Sequence, residues 1–103
     1  MSVIKLTDDN FESEVKKSEK TVIVDFYADW CVPCKMMSLI IDEIAEELGD
    51  SVKVGKVNSD ENMELSEKYE IMSIPTIMIF KNGEVTKVFI GVTDKNEIVK
   101  AIK

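Results

Sequence analysis

Thr21-Val22-Ile23-Val24-Asp25-Phe26-Tyr27-Ala28 runs through Asp29 into Trp30-Cys31-Val32-Pro33-Cys34-Lys35, and this passage decides the fold. Its first half is apolar on both alternating faces except at Asp25, the pattern of a central strand covered on both sides. Its second half opens a helix. From Pro33 to Leu48 apolar residues recur at Cys34, Met37, Ile41, Ile44, Ala45 and Leu48, and Met36, Leu39 and Ile40 widen the stripe. Lys35, Asp42, Glu43, Glu46 and Glu47 take the opposite face as a solvated surface, and Gly49 supplies a C-terminal stop. Strand and helix meet at the only two cysteines of the chain, beside its only tryptophan.

That junction suits thiol chemistry. Side chains three apart on a helix lie about 5 to 6 Å apart at Cβ, and a disulfide needs about 3.5 to 4.5 Å, so the two cysteines can pair after a modest adjustment. The first backbone N–H groups of a helix have no intrahelical partner and carry partial positive charge, which favours a thiolate over a thiol. Cys31, just ahead of the first turn, is expected to expose its sulfur and act as nucleophile, whereas Cys34 points back into the apolar face. Zinc would need four ligands, and the chain offers one cysteine pair and no histidine. A permanent staple closing so short a loop would add little stability. Asp25 is the candidate base for Cys34, because burial would raise its pKa toward neutrality. The alternative is a strand-end carboxylate that simply reaches water.

Composition bounds the rest. A chain of 103 residues with 45% hydrophobic content fills one core, so residues 1–103 are expected to form a single domain. A net charge of −7 would be repelled by nucleic acid and by anionic membrane surfaces, so neither is expected as a partner. No apolar run approaches the roughly 18 residues of a transmembrane helix. Met1-Ser2-Val3-Ile4-Lys5 leads into Leu6-Thr7-Asp8-Asp9 without a signal-peptide core, and the expected location is cytoplasmic. In that reducing compartment a close cysteine pair is catalytic or metal-binding rather than a staple.

The flanking chain supplies the other elements. Val3 to Leu6 reads as a short strand, and Thr7 as the cap of a helix running to about Lys17, with Leu6 and Phe11 as a hydrophobic staple. Val52 to Asn58 is a third strand, joined to the second by a helix and therefore parallel to it. Asp60 is expected to cap a short helix reaching Tyr69. Thr76 to Phe80 and Val85 to Ile90 flank Asn82-Gly83, a strong hairpin signal. Thr93 then caps a last helix with Ile98, Ala101 and Ile102 turned inward. The order β-α-β-α-β-α-β-β-α gives an α/β fold, a mixed sheet with helices on both faces. The six methionines pose a separate question, and Met36, Met37 and Met78 are expected in the core.

Over essentially its whole length the chain resembles the thioredoxin family. The resemblance rests on Asp25-Phe26-Tyr27-Ala28, Trp30-Cys31-Val32-Pro33-Cys34-Lys35, Lys56-Val57-Asn58-Ser59-Asp60, Ile74-Pro75-Thr76, Lys81-Asn82-Gly83 and Gly91-Val92. It implies the thioredoxin fold, with a central mixed sheet of five strands, and a protein-disulfide reductase and electron carrier. Cys31 would attack a substrate disulfide and Cys34 would resolve the mixed disulfide. Asp25 would be a buried aspartate exchanging a proton with Cys34, and Lys56 its electrostatic partner. The Ile74-Pro75 bond would be cis, forming a substrate groove with Trp30, Val32, Pro33, Gly91 and Val92. The resemblance implies no bound cofactor beyond the redox-active disulfide and no metal. Its partners would be protein disulfides and a thioredoxin reductase, either an NADPH-dependent flavoprotein or a ferredoxin-dependent enzyme, and the chain would work as a monomer.

Four positions depart from the family's usual pattern. Val32 stands where glycine is common and adds β-branched bulk beside the sulfurs. Leu39 replaces a frequent helix-kinking proline, Met72 a frequent arginine, and Tyr27 a common tryptophan, the last expected to matter little. An oxidant or isomerase on the same fold, or a non-catalytic interaction module, is the alternative function. The histidine between the cysteines that usually marks the former is absent, and the intact set of Cys31, Cys34, Asp25 and Pro75 argues against the latter.

Overall fold

A computed structural model describes residues 3–103; Met1 and Ser2, the start of the expected domain, lie outside the described residues. The sheet is built on β2 (Thr21–Tyr27), whose residues from Val22 to Phe26 are all buried. It pairs parallel with β3 (Val52–Asn58) and antiparallel with β4 (Thr76–Lys81). With β1 (Val3–Leu6) and β5 (Glu84–Ile90) at the edges, the five strands run in the order β1-β3-β2-β4-β5. Parallel neighbours require a crossover, and α1 (Val32–Leu48) provides it between β2 and β3.

Period-two alternation along β2 sends its side chains into two separate cores. Val22, Val24 and Phe26 join Leu6, Val57 and Phe80 under Phe11, Val15 and Leu65. Tyr69 closes that side, its ring centroid 5.6 Å from those of Phe11 and Phe80. Ile23, Val54, Ile77 and Ile79 face the other way, against Met37, Ile41 and Ile44 of α1 and Ile98 of the C-terminal helix (Lys95–Ile102). Asp25 lies two residues beyond Ile23, so it points to the α1 side.

The expected staple of Leu6 on Phe11 holds, since both sit in the first core. The helix it introduces does not run from Thr7. Thr7 and Asn10 instead exchange hydrogen bonds, Thr7 N–H to Asn10 Oδ1 at 2.8 Å and Asn10 N–H to Thr7 Oγ1 at 3.3 Å. Short polar side chains of this kind offer the backbone an alternative to helix. The chain then makes one π-helical turn, Glu12–Lys16, closed by Lys17 N–H on the Glu12 carbonyl at 3.1 Å.

Two further caps differ from expectation. α2 (Met63–Lys68) is not capped by Asp60; Asp8, far away in sequence, accepts from Leu65 N–H at 3.1 Å. Asn62 completes the tie, accepting from Asp8 N–H at 2.9 Å and donating to the Asn58 carbonyl at 3.0 Å. Thr93 does not cap the last helix, α3 (Lys95–Ile102), either; its hydroxyl bonds the Gly91 carbonyl at 3.1 Å, and Asp94 is the residue before the helix.

Met37 and Met78 are buried as expected, but Met36 is 56% exposed and Leu39 67% exposed. A single sheet face meets α1, and the stripe through Cys34, Met37, Ile41, Ile44 and Ala45 already covers it. The acidic face is partly neutralised by Lys95, which reaches Glu47 at 2.7 Å and Glu43 at 3.7 Å. Asn82 and Gly83, with φ of 54° and 82°, form the hairpin turn. Both central residues of a two-residue type I′ turn need positive φ, which asparagine and glycine tolerate.

The long-range cap gives a measurable consequence. Asp8→Ala removes the acceptor for Leu65 N–H and should cost about 1 kcal/mol, lowering the thermal midpoint by about 4–8 °C for a domain of this size. Thermal melts followed by circular dichroism measure it; an unchanged midpoint would show that water replaces the carboxylate without loss.

Candidate active site

β2 ends at Tyr27, and Ala28, Asp29 and Trp30 turn the chain into α1. Cys31 is the residue before the first helical turn, with extended φ −91° and ψ 110°. Its N–H donates to the Ala28 carbonyl at 3.2 Å, and its Sγ accepts from Cys34 N–H at 3.2 Å. Pro33 in that turn has no N–H to leave unpaired. A sulfur placed there receives a hydrogen bond and the positive end of the helix dipole, which together stabilise it as a thiolate. Cys31 and Cys34 are joined in a disulfide, their Cα atoms 5.2 Å apart.

The expected exposure of Cys31 is not seen in this oxidised form: it is 4% exposed, against 2% for Cys34. Its sulfur is bonded to Cys34, and the Ile74 carbonyl oxygen stands 3.9 Å from it. The residues on either side are open instead, Trp30 at 70% and Val32 at 66%. Trp30 stands outside the core, and its indole N–H donates to Asp60 Oδ2 at 2.9 Å.

The Ile74-Pro75 bond is cis, as expected. Ile74 packs against Ala28 and both cysteines, and Gly91 N–H donates to the Pro75 carbonyl at 2.8 Å. Gly91 has φ of 89°, which favours glycine. The structure thus brings Ile74 to the disulfide, with Pro75 next in the chain and Gly91 bonded to Pro75, while Val92 is exposed and Pro33 lies inside the first turn of α1.

Beneath Cys34 lies a cavity of about 130 Å³ whose lining includes Asp25, Ser38, Lys56 and Cys34. Asp25 is 3% exposed, and its Oδ1 has no hydrogen-bond partner among the described residues. The strand-end alternative is therefore excluded. Burial is the main force on this carboxyl, pushing it up to about 7; Lys56 pulls it down and Asp42 raises it further. Lys56 stands directly opposite Asp25 in the parallel β2–β3 register. Its ammonium lies 5.7 Å from the centroid of the Tyr27 ring.

Asn58 is a structural residue of the site that sequence reasoning passed over. Buried at 6% exposure, it accepts from Asp60 N–H at 3.0 Å and donates to Asp29 Oδ2 at 3.5 Å. It thereby ties together the two segments that hold Trp30 from either side. Its sequence signal is a carboxamide closing an apolar strand between Val57 and Ser59-Asp60. Among the described residues no group of three or more histidine, cysteine, aspartate or glutamate side chains is placed to hold a metal ion.

Two sulfurs that part or join as two electrons arrive or leave, set on a helix start over a group that can hold a proton near neutrality, define a protein-disulfide oxidoreductase. The family model described as Thioredoxin matches residues 2–103, and the five-stranded mixed sheet with its flanking helices is the thioredoxin fold. The chain belongs to the thioredoxin family. It is 50% identical over 97 residues to a thioredoxin of Rickettsia bellii (strain RML369-C), covering 94% of this chain and 92% of that protein. It is 53% identical over 94 residues to a thioredoxin of Rickettsia prowazekii (strain Madrid E), covering 91% and 90% of the two chains. A thioredoxin of Pyropia yezoensis is 46% identical over 102 residues, 99% of this chain and 95% of its own.

The buried carboxyl has a consequence for stability. Asp25 binds its proton more tightly in the folded protein, at about 7, than at its ordinary value of 3.8, so its contribution to stability is full below about pH 4. That contribution is lost as pH rises from about 4 to 7 and stays absent above, an effect on the order of 4 kcal/mol. Asp25→Asn should therefore be more stable than the parent at pH 8 and should flatten the decline between pH 4 and 7. Urea unfolding of the disulfide form across this range checks it; parallel curves for both proteins would contradict the burial argument.

Proposed function

We propose that the protein reduces disulfides of other proteins in the cytoplasm as a monomer, and that a thioredoxin reductase returns it to the dithiol. The observation that carries this is the Cys31–Cys34 disulfide at the α1 terminus, placed between the cis Ile74-Pro75 rim and the Asp25 cavity. In the dithiol form the Cys31 thiolate attacks one sulfur of a substrate disulfide. The substrate bond breaks, its other sulfur leaves as a thiolate and takes a proton, and a mixed disulfide forms. Asp25 then accepts the Cys34 proton, and the Cys34 thiolate attacks Cys31 Sγ. The second substrate sulfur leaves, the Cys31–Cys34 bond forms, and two electrons have passed to the substrate.

The electrostatics favour this division of labour. Cys31 Sγ receives the Cys34 N–H at the helix start, so its thiolate needs no base. Cys34 is buried and lines the cavity with Asp25, whose value of about 7 lets it both take and return a proton near neutral pH. Lys56, across from it in β3, stabilises the charged carboxylate. A substrate strand pairs with the backbone at Ile74, beside Pro75, as an added strand. Trp30, Val32, Pro33, Gly91 and Val92 flank the scissile disulfide. Electrons are returned by an NADPH-dependent flavoprotein or a ferredoxin-dependent reductase, which keeps the pair reduced in a reducing compartment.

Three substitutions test the scheme. Cys31→Ser should abolish reduction of a protein disulfide such as that of insulin. Cys34→Ser should trap a covalent adduct through Cys31, visible by mass spectrometry. Asp25→Asn should slow resolution of the mixed disulfide and remove its dependence on a group titrating near pH 7. An adduct formed equally well through Cys34 in Cys31→Ser would reverse the assignment of the two sulfurs.

A further inference from the structure

Lys56 faces two competing seats. Asp25, Lys56 and Tyr27 share one side of the sheet, because Asp25 and Tyr27 are two apart on β2 and Lys56 is opposite Asp25 on β3. All three line the same cavity. The ammonium nevertheless takes part in none of the ion pairs found among the described residues, which are Lys53–Glu14, Lys95–Glu43 and Lys95–Glu47. It lies instead 5.7 Å from the Tyr27 ring centroid, within the range of a cation–π contact, while Asp25 Oδ1 has no hydrogen-bond partner among the described residues.

We propose that Tyr27 is a positioning residue of the dithiol reaction: its ring is the resting seat of the Lys56 ammonium while Asp25 holds a proton, and the ammonium moves to Asp25 when that proton leaves. The inference rests on the proton-carrying role of Asp25 proposed above and adds its regulation. A desolvated carboxylate attracts a nearby ammonium more strongly than an aromatic face does, so ionisation of Asp25 shifts Lys56 toward it. A neutral carboxyl exerts no such pull, and the ring then holds the cation. Any stabilisation of the resting arrangement therefore favours the protonated carboxyl. Tyr27 lifts the midpoint of Asp25 through Lys56, in the direction opposite to the direct effect of the lysine charge.

The other charges facing Asp25 do not supply this competition. Asp42 and Lys35 come from α1, Asp29 comes from the turn after β2, and Cys34 above the cavity is itself titratable in the dithiol. Across the antiparallel pair, β4 presents Ile77. The Tyr27 hydroxyl is pushed above its usual value by burial and by Asp29 and Glu61, so it stays neutral in the working range. The ring, rather than the hydroxyl, is the active feature.

The test is the titration of the Asp25 carboxyl carbon by ¹³C NMR in the disulfide form of the full chain, which reads the effect without requiring turnover. Tyr27→Leu should lower the midpoint by roughly 0.3 to 0.5 pH unit or more, as loss of a cation–π seat changes the equilibrium at least about twofold to threefold. Tyr27→Phe keeps the ring and should leave the midpoint in place. In a Lys56→Met background the Tyr27→Leu change should move nothing further. The proposal is overturned by a Tyr27→Leu midpoint that stays or rises, by a Tyr27→Phe shift as large as that of leucine, or by an equal Tyr27→Leu shift without Lys56. Failure of the Asp25→Asn kinetics alone would sink the proton-carrier role and leave this titration readable.

Discussion

The register of β2 against β3 sets Asp25 opposite Lys56, and the working parts of the site hang on that alignment. A strand shifted by one residue turns every side chain to the other face of its sheet. Such a slip would carry Asp25 away from α1 and Cys34 and into the aromatic core around Phe11, Tyr69 and Phe80. The helix that delivers the cysteines is the same element that makes the two strands parallel, and the burial of β2 on both faces holds their register. Ile23 and Val54 of the sheet pack against Met37, Ile41 and Ile44 of the helix and lock it onto that face. Dithiol, acid and cation are therefore brought together by packing, although they come from an interstrand turn and two strands.

The site also works against the core that surrounds it. An aliphatic side chain at position 25 would fit the hydrophobic pattern of β2, and the carboxyl found there is buried and only partly compensated. Its raised pKa records that mismatch. The proton transfer proposed between Asp25 and Cys34 would draw on this mismatch, since a solvated aspartate stays ionised near neutrality. Stability is lost at the point where chemistry requires a poised proton.

Much of this was legible from the residues alone. The strand-to-helix passage located the cysteines, Asn82-Gly83 gave the hairpin, and the single polar residue inside β2 pointed to Asp25. The misses share a physical cause: short polar side chains have several partners available, and sequence separation does not say which will be near. Asp60 was expected to cap α2 and serves Trp30, whereas Asp8 reaches across the fold to do the capping. Met36 and Leu39 have helical spacing that is compatible with burial, but the width of the covered stripe depends on how much sheet lies beneath. The cis bond before Pro75 came from family likeness, as no local pattern distinguishes it. Cys31, expected from its place ahead of the helix to expose its sulfur, is buried in the disulfide form beside Ile74, a neighbour that comes from a distant part of the chain.

Trp30 carries a last implication. It is the sole indole in the chain, lies open to solvent, is tethered to Asp60, and immediately precedes Cys31. Optical signals from tryptophan therefore come from a single address beside the disulfide, with no second indole to dilute them. The molecule carries a built-in fluorescent label there, and docking events can be followed without attaching a dye or altering a side chain.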